Sequence, residues 1–196
     1  MKSGLIALAR KYAPSLWEIV VTIRVKLTPI RRYIESKLIP AARARIGDGD
    51  ILYVGVAHYT RDYPQRFAPA TVATIDIEPS VARYGAAVHR VGSVTQVDTL
   101  FGKQSFDMVF LIGVIGWGLN TREQANAALE SISEVLRDGG VLIVSRDDIP
   151  PRNSVQMQDL HALTRFEPCE LAGIDASRVK IRDPKYRTEL FFYRKL

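Results

Sequence analysis

Residues Ile51, Leu52, Tyr53 and Val54 form a short apolar run that stops at Gly55, and a second run, Val72 to Ile77, carries a lone acid, Asp76, near its carboxyl end. This pairing constrains the fold more than any other feature. Apolar runs of strand length, bounded by turn residues, mark strands buried on both faces, as in parallel sheets covered by helices. A glycine at a strand end lets the backbone turn beneath a ligand, and an acid roughly 20 residues later stands where it can bond both hydroxyls of a ribose. The expectation is an α/β fold with two strand ends bordering one crevice.

Three further stretches repeat the theme. Phe106 to Gly113 reads as another buried strand, Leu136 to Val144 as a helix end, a tight Asp138-Gly139-Gly140 turn and a strand, and Glu189 to Lys195 as a final strand. In order and spacing these motifs resemble the class I, Rossmann-like methyltransferases that use S-adenosylmethionine, and the resemblance covers nearly everything from Ile51 to the C-terminus. It implies a doubly wound, mostly parallel seven-stranded sheet with an antiparallel last strand, preceded by an N-terminal helical segment. It also implies a site. Gly55, Val56, Ala57 and Gly113 would border the cofactor, Asp76 its ribose, and Ile77, Ser93 and Val94 the adenine, with Asp98 a more distant option. The loop from Gly113 to Asn120 would face the methyl acceptor. There Trp117 has two readings, a wall of the acceptor site or a side chain packed beneath the next helix.

Neither a G-x-G-x-x-G fingerprint nor a P-loop is present, and the side chains after Gly55 leave no cradle for phosphates. A dinucleotide or nucleoside triphosphate is therefore not expected, whereas S-adenosylmethionine carries no phosphate. With 196 residues, 47% of them hydrophobic, the chain has the core of one domain and is short for two. Its single cysteine, Cys169, permits no internal disulfide and reads as an inert buried thiol.

The net charge of +6 is unevenly placed. Residues 1–50 hold ten Lys and Arg against four acids, and the remaining 146 hold seventeen of each sign. The excess sits in an N-terminal segment, 1–47, distinct from the cofactor-binding part, 48–196. Leu16, Val20, Ile23 and Leu27 share one helical face there, Thr28-Pro29 can open a helix, Arg31 and Glu35 are spaced to pair on it, and Pro40 interrupts it. No apolar run approaches the ~20 residues of a bilayer span, and Arg10, Lys11 and Glu18 cut any secretory signal. The segment reads as a helical cap over the crevice, or as an amphipathic element on an anionic membrane surface. Its apolar stripe could equally face a partner subunit. The basic residues are dispersed and no recognition motif accompanies them, so nucleic acid is not expected. A cytoplasmic location, peripheral to the membrane in the second reading, is the expectation.

Methyl transfer needs alignment and, for a hydroxyl acceptor, a base. His58 on the first loop and Asp147 after the fifth strand are the candidates. Asp147, Asp148 and His161 raise a metal reading, but the other ligands are not visible and no metal is expected. The function that follows is methylation, of oxygen by preference, of a small molecule or glycan. The alternative is a lapsed domain of the same fold that binds a partner.

Overall fold

The structure, a computed structural model, describes residues 14–183 and 185–196. Arg10 and Lys11 lie outside the described residues, as does the side chain of Leu16. Helices α1 (Pro14–Lys26) and α2 (Pro29–Tyr33) lead through a π turn (Ile34–Leu38) into α3 (Ile39–Ile46). Then come β1 (Asp50–Val54), α4 (Tyr63–Arg66), β2 (Thr71–Asp76), β3 (Val88–Val91), α5 (Val97–Phe101) and β4 (Phe106–Ile115). The chain closes with α6 (Arg122–Val135), β5 (Leu136–Asp147), β6 (Phe166–Pro168), β7 (Arg178–Lys180) and β8 (Thr188–Lys195).

The sheet order is β3-β2-β1-β4-β5-β8-β6, with β7 pairing on β8. Strands β1 to β5 are mutually parallel, and β8 runs antiparallel between β5 and β6. The mostly parallel sheet and its antiparallel last strand are as expected, but β7 makes eight strands where seven were expected. From β1 the chain proceeds outward through β2 and β3, then returns to the other side of β1 as β4. Strand order reverses there, and the loops at the carboxyl ends of β1 and β4 part to leave a crevice.

Alternate residues of each strand enter opposite cores, because side chains alternate across a sheet. Leu52, Val54, Ile75, Val109, Leu111 and Val144 face α6, which contributes Leu129 and Ile132. Ile51, Tyr53, Met108, Phe110, Ile143 and Phe192 face the N-terminal helices, which contribute Ile34, Leu38 and Ile39. The basic N-terminal segment therefore closes one face of the sheet. Helix α6 opens with a capping box: Gln124 N–H donates to Thr121 Oγ1 and Thr121 N–H to Gln124 Oε1. At the opposite end of the sheet from the crevice, Asp107 Oδ2 accepts from Asp50 N–H and Arg137 Nη1, both at 2.7 Å. This acid is structural, as its place at a strand start suggests.

Several local expectations are corrected. Pro40 does not break the helix, because the turn before it widens: Ile39 N–H bonds to Ile34 O, five residues back, which makes room for the proline ring. Thr28 precedes Pro29 in extended conformation, but its hydroxyl donates to Val25 O rather than capping α2. Glu35 pairs with Arg66 at 3.2 Å and not with Arg31. The third strand is Val88–Val91, and the stretch after β5 forms a pair of 3-10 turns, Met157–Asp159 and His161–Arg165. Beyond β6 (Phe166–Pro168), Leu171 and Ile174 form only an isolated bridge. The charged stretch 177–187 contains β7.

Candidate active site

Two cavities open at the carboxyl ends of β1, β2, β4 and β5. The smaller, about 230 Å³, lies between the ends of β1, β2 and β4 and is lined by Ile77, Ser93 and Val94 among others. The larger, about 320 Å³, is lined by Val25, Thr28 and Arg31 of the N-terminal segment and by Ser145, Asp147 and Thr188 of the sheet. Gly55, Asp76, Gly113 and Trp117 line both. The residues singled out in the sequence on either side of the crevice thus form the shared wall of adjoining compartments.

Gly55 has φ +82° and Gly113 φ +70°, backbone that side-chain-bearing residues avoid, and a Cβ at Gly113 would meet nothing within 4 Å. Both turns leave the strand ends open toward the ligand space. Asp76 spans the opening between them. Its Oδ2 accepts from Val56 N–H at 2.8 Å and its Oδ1 from Glu78 N–H at 2.9 Å. Each oxygen is fixed by one amide and retains capacity for a further donor. The loop after Gly55 lacks more glycines but is ordered otherwise: Ala57 N–H donates to Thr60 Oγ1, which returns its proton to Ala57 O. Ile77 is 73% exposed at the rim of the smaller cavity, an apolar side chain placed to cover a flat ring. Val94 is buried behind it, and Ser93 caps the following turn by accepting from Thr95 N–H. Asp98 does not reach this space, since its Oδ1 accepts from Ser131 Oγ of α6.

Asp147 is the most constrained acid of the larger cavity. Its Oδ1 accepts from Thr188 Oγ1 at 2.7 Å and its Oδ2 from Trp117 Nε1 at 3.0 Å. The β5–β8 register sets Thr188 opposite Asp147 and so brings the last strand to the site. Trp117 does not pack beneath α6. It is half exposed, its face covered by the Arg152 guanidinium at 3.5 Å and flanked by Tyr186 at 6.0 Å. Ser145 Oγ accepts from Gly113 N–H at 2.8 Å and ties the β4 and β5 loops together.

His58 is corrected by its position. It does not line the larger cavity, and its ring packs edge-on against Tyr59 and Tyr84, at 5.1 and 6.0 Å between centroids. Burial holds its pKa below the ordinary imidazole value against the opposing pull of Glu18, so it is neutral near pH 7 and packs as an aromatic. His161 is exposed, with Nε2 3.1 Å from Glu130 Oε1, and has no part in the crevice. Among the described residues, His, Cys, Asp and Glu form no group of three or more suited to a metal. Arg31, Tyr59, Tyr186 and Thr188 line the larger cavity without having been singled out as site residues. Of these, only Arg31 had drawn attention, as a helix-surface charge.

Residues 52–144 match the family model described as a methyltransferase domain. No curated protein sequence matches the chain. Among solved structures, the fold is similar to the N-methyltransferase NodS from Bradyrhizobium japonicum WM9, at 18% identity and a TM-score of 0.66, covering 87% of this chain and 98% of that one. The same enzyme in complex with S-adenosyl-L-homocysteine is similar at 17% identity and a TM-score of 0.66, over 88% of this chain and 90% of that one. The 1,6-didemethyltoxoflavin-N1-methyltransferase of Burkholderia thailandensis, with 1,6-didemethyltoxoflavin and S-adenosylhomocysteine bound, is similar at 17% identity and a TM-score of 0.55, over 93% of this chain and 90% of that one. The open glycine turns, an acid with spare acceptor capacity between them and an apolar slot with no phosphate cradle fit S-adenosylmethionine. The segment that matches a methyltransferase domain lies across this sheet and crevice, and the fold is the Rossmann-like one seen in S-adenosylmethionine-dependent methyltransferases.

Proposed function

We propose that the protein methylates a hydroxyl of a small-molecule or glycan acceptor held in the larger cavity. The observation that carries this reading is Asp147, a carboxylate lining that cavity and held by Thr188 and by Trp117, which also lines the smaller one. When bound, S-adenosylmethionine supplies a sulfonium-activated methyl group. The chain's own residues supply alignment, exclusion of water and removal of a proton. Asp76 holds the ribose hydroxyls, Ile77, Ser93 and Val94 enclose the adenine, and Gly55, Val56, Ala57 and Gly113 border the rest. Trp117 walls the acceptor, and Asp147 takes the acceptor's proton as its oxygen becomes nucleophilic.

In an acceptor screen, phenols, catechols and sugar alcohols are expected to be methylated in preference to matched amines. Asp147→Asn keeps the two bonds of the residue's seat but not its basicity, and is expected to lower kcat about 10²–10⁴-fold with little change in KM. Full activity in that variant would remove Asp147 as the base. Preference for the amines would favour a second reading, N-methylation, for which the likeness to two N-methyltransferases speaks.

Helix α1 has its own readout. Glu18 Oε1 accepts from Tyr84 Oη at 2.5 Å and Lys26 pairs with Asp62 at 3.0 Å, which seats the helix over the crevice. Its outward face nevertheless exposes Ile19, Val20 and Ile23, followed by Leu27 just beyond the helix, each 48–56% accessible. No helix among the described residues is long and apolar enough to cross a membrane. We propose that this stripe rests on an anionic bilayer surface. The protein should then sediment with phosphatidylserine vesicles, and Ile19→Glu/Ile23→Glu should abolish sedimentation. Equal recovery of the two proteins in the supernatant would rule this out.

A further inference from the structure

Arg31, from the N-terminal helices, lines the larger cavity together with Asp147 and Thr188 of the sheet. Its guanidinium lies over the Tyr59 ring, 4.7 Å from the centroid, and its Nη1 is sealed from solvent without a hydrogen-bond partner. No carboxylate among the described residues forms an ion pair with it. Glu35, one helical turn on, is engaged by Arg66. Residues 1–13 contain no acid at all, so nothing in that segment can supply the counter-charge. The neighbouring phenols do not supply one either. Burial, foremost, pushes the hydroxyls of Tyr53 and Tyr63 above the ordinary phenol range, and both stay protonated beside the arginine. The two acids that line the cavity are held by other groups and not by Arg31, Asp76 by two backbone amides and Asp147 by Thr188 and Trp117.

A guanidinium withdrawn from water costs free energy unless an anion reaches it, and its planar fork matches the two oxygens of a carboxylate or phosphate. We infer that the methyl acceptor carries such an oxyanion group, and that Arg31 pairs with it while the acceptor's nucleophile lies toward Asp147. Arg31 then selects acceptors by charge and fixes which end of the molecule meets the methyl donor. The cavity volume of about 320 Å³ suits a single small acid, at the lower end of ligand pockets. This inference rests on the methyltransferase reading above and deepens it.

The test uses the full chain saturated with S-adenosylhomocysteine and titrated calorimetrically with benzoate, phenyl phosphate and the neutral benzamide. Benzoate or phenyl phosphate is expected to bind at least about tenfold more tightly than benzamide. Arg31→Gln should erase that difference, and Arg31→Lys, which keeps the charge without the fork, should retain part of it. Whichever anion binds identifies the source of the charge. Equal binding of benzamide, no binding of either anion, or anion binding that survives Arg31→Gln would each overturn the inference. Affinity for S-adenosylhomocysteine, measured first in all three proteins, separates the two levels. If it is retained, an absent anion preference condemns only the role of Arg31. If it is absent in the parent chain, the methyltransferase reading falls and this inference with it.

Discussion

Asp76→Ala is expected to weaken binding of S-adenosylmethionine and S-adenosylhomocysteine by about two to four orders of magnitude while leaving the fold intact. A hydrogen bond to a charged partner contributes about 1.5–3 kcal/mol, and two to a ribose diol about 3–6 kcal/mol together. Both carboxylate oxygens are already oriented by the amides of Val56 and Glu78, so little ordering remains to be done on binding. Asp76→Asn keeps one acceptor oxygen and offers donors in place of the other, and should fall between the parent and the alanine variant. Calorimetric titration of the three proteins with S-adenosylhomocysteine checks the order. Undiminished affinity in Asp76→Ala would move the ribose away from this residue. A large loss of thermal stability would mean that the carboxylate mainly fastens the β1 and β2 loops.

Some of this architecture was open to reading in one dimension and some was not. Strands β1, β2 and β4 are buried on both faces, so their sequences are mainly apolar over strand length, interrupted within β2 by the buried Thr74. Gly55, Asp76 and Gly113 were legible for a related reason: each sits at the end of such a run, where the fold exposes backbone or places a polar group. The short strands β6 and β7 lie at the margin of the sheet, where half-exposed residues alternate with polar ones and resemble loop. The π turn before Pro40 was hidden because a proline in a helical pattern signals a break, and the widened turn that absorbs it depends on packing of Ile34 and Leu38 against the sheet. His58 misled because a histidine next to a ligand loop is chemically apt wherever it points, and its direction is set by Tyr84, 26 residues away along the chain. Arg31 looked like a surface charge paired one turn along the helix. Its lack of a partner appears only when α4 brings Arg66 to Glu35.

Asp147 illustrates how the last strand completes the site. No local signal links it to Thr188, 41 residues later, yet the antiparallel insertion of β8 sets them side by side. The neighbouring register pair, Arg146 and Glu189, holds that strand in place. Both are nearly inaccessible, at 6% and 4% side-chain exposure, and bond at 2.9 Å. Glu189 also accepts from Arg178 of β7 at 2.7 Å and lies 3.4 Å from Lys180. One buried carboxylate thus gathers cations from β5 and β7 onto β8.

Removing that carboxylate should have a large effect on stability. Glu189→Ala leaves Arg146 buried, with Gln156 and the exposed Asp148 as its remaining partners, and is expected to destabilise the fold by about 3 kcal/mol, as for other buried pairs broken on one side. The pH dependence gives an independent check. Burial alone would raise the Glu189 pKa, but the hydrogen bonds and charges of Arg146 and Arg178 outweigh it and hold the carboxyl below the usual range. A group depressed in the folded state stabilises fully above its unfolded value, about 4.3 for Glu, and loses that contribution as pH falls through the lower folded value. The stability gap between parent and Glu189→Ala should therefore be widest near neutrality and narrow below about pH 4. Urea unfolding of both proteins across that range measures it. A gap under 1 kcal/mol at pH 7, or one indifferent to acid, would show that the desolvation cost of Glu189 cancels its attraction to the arginines, leaving the register of β8 to Phe192, Leu190 and the backbone ladder.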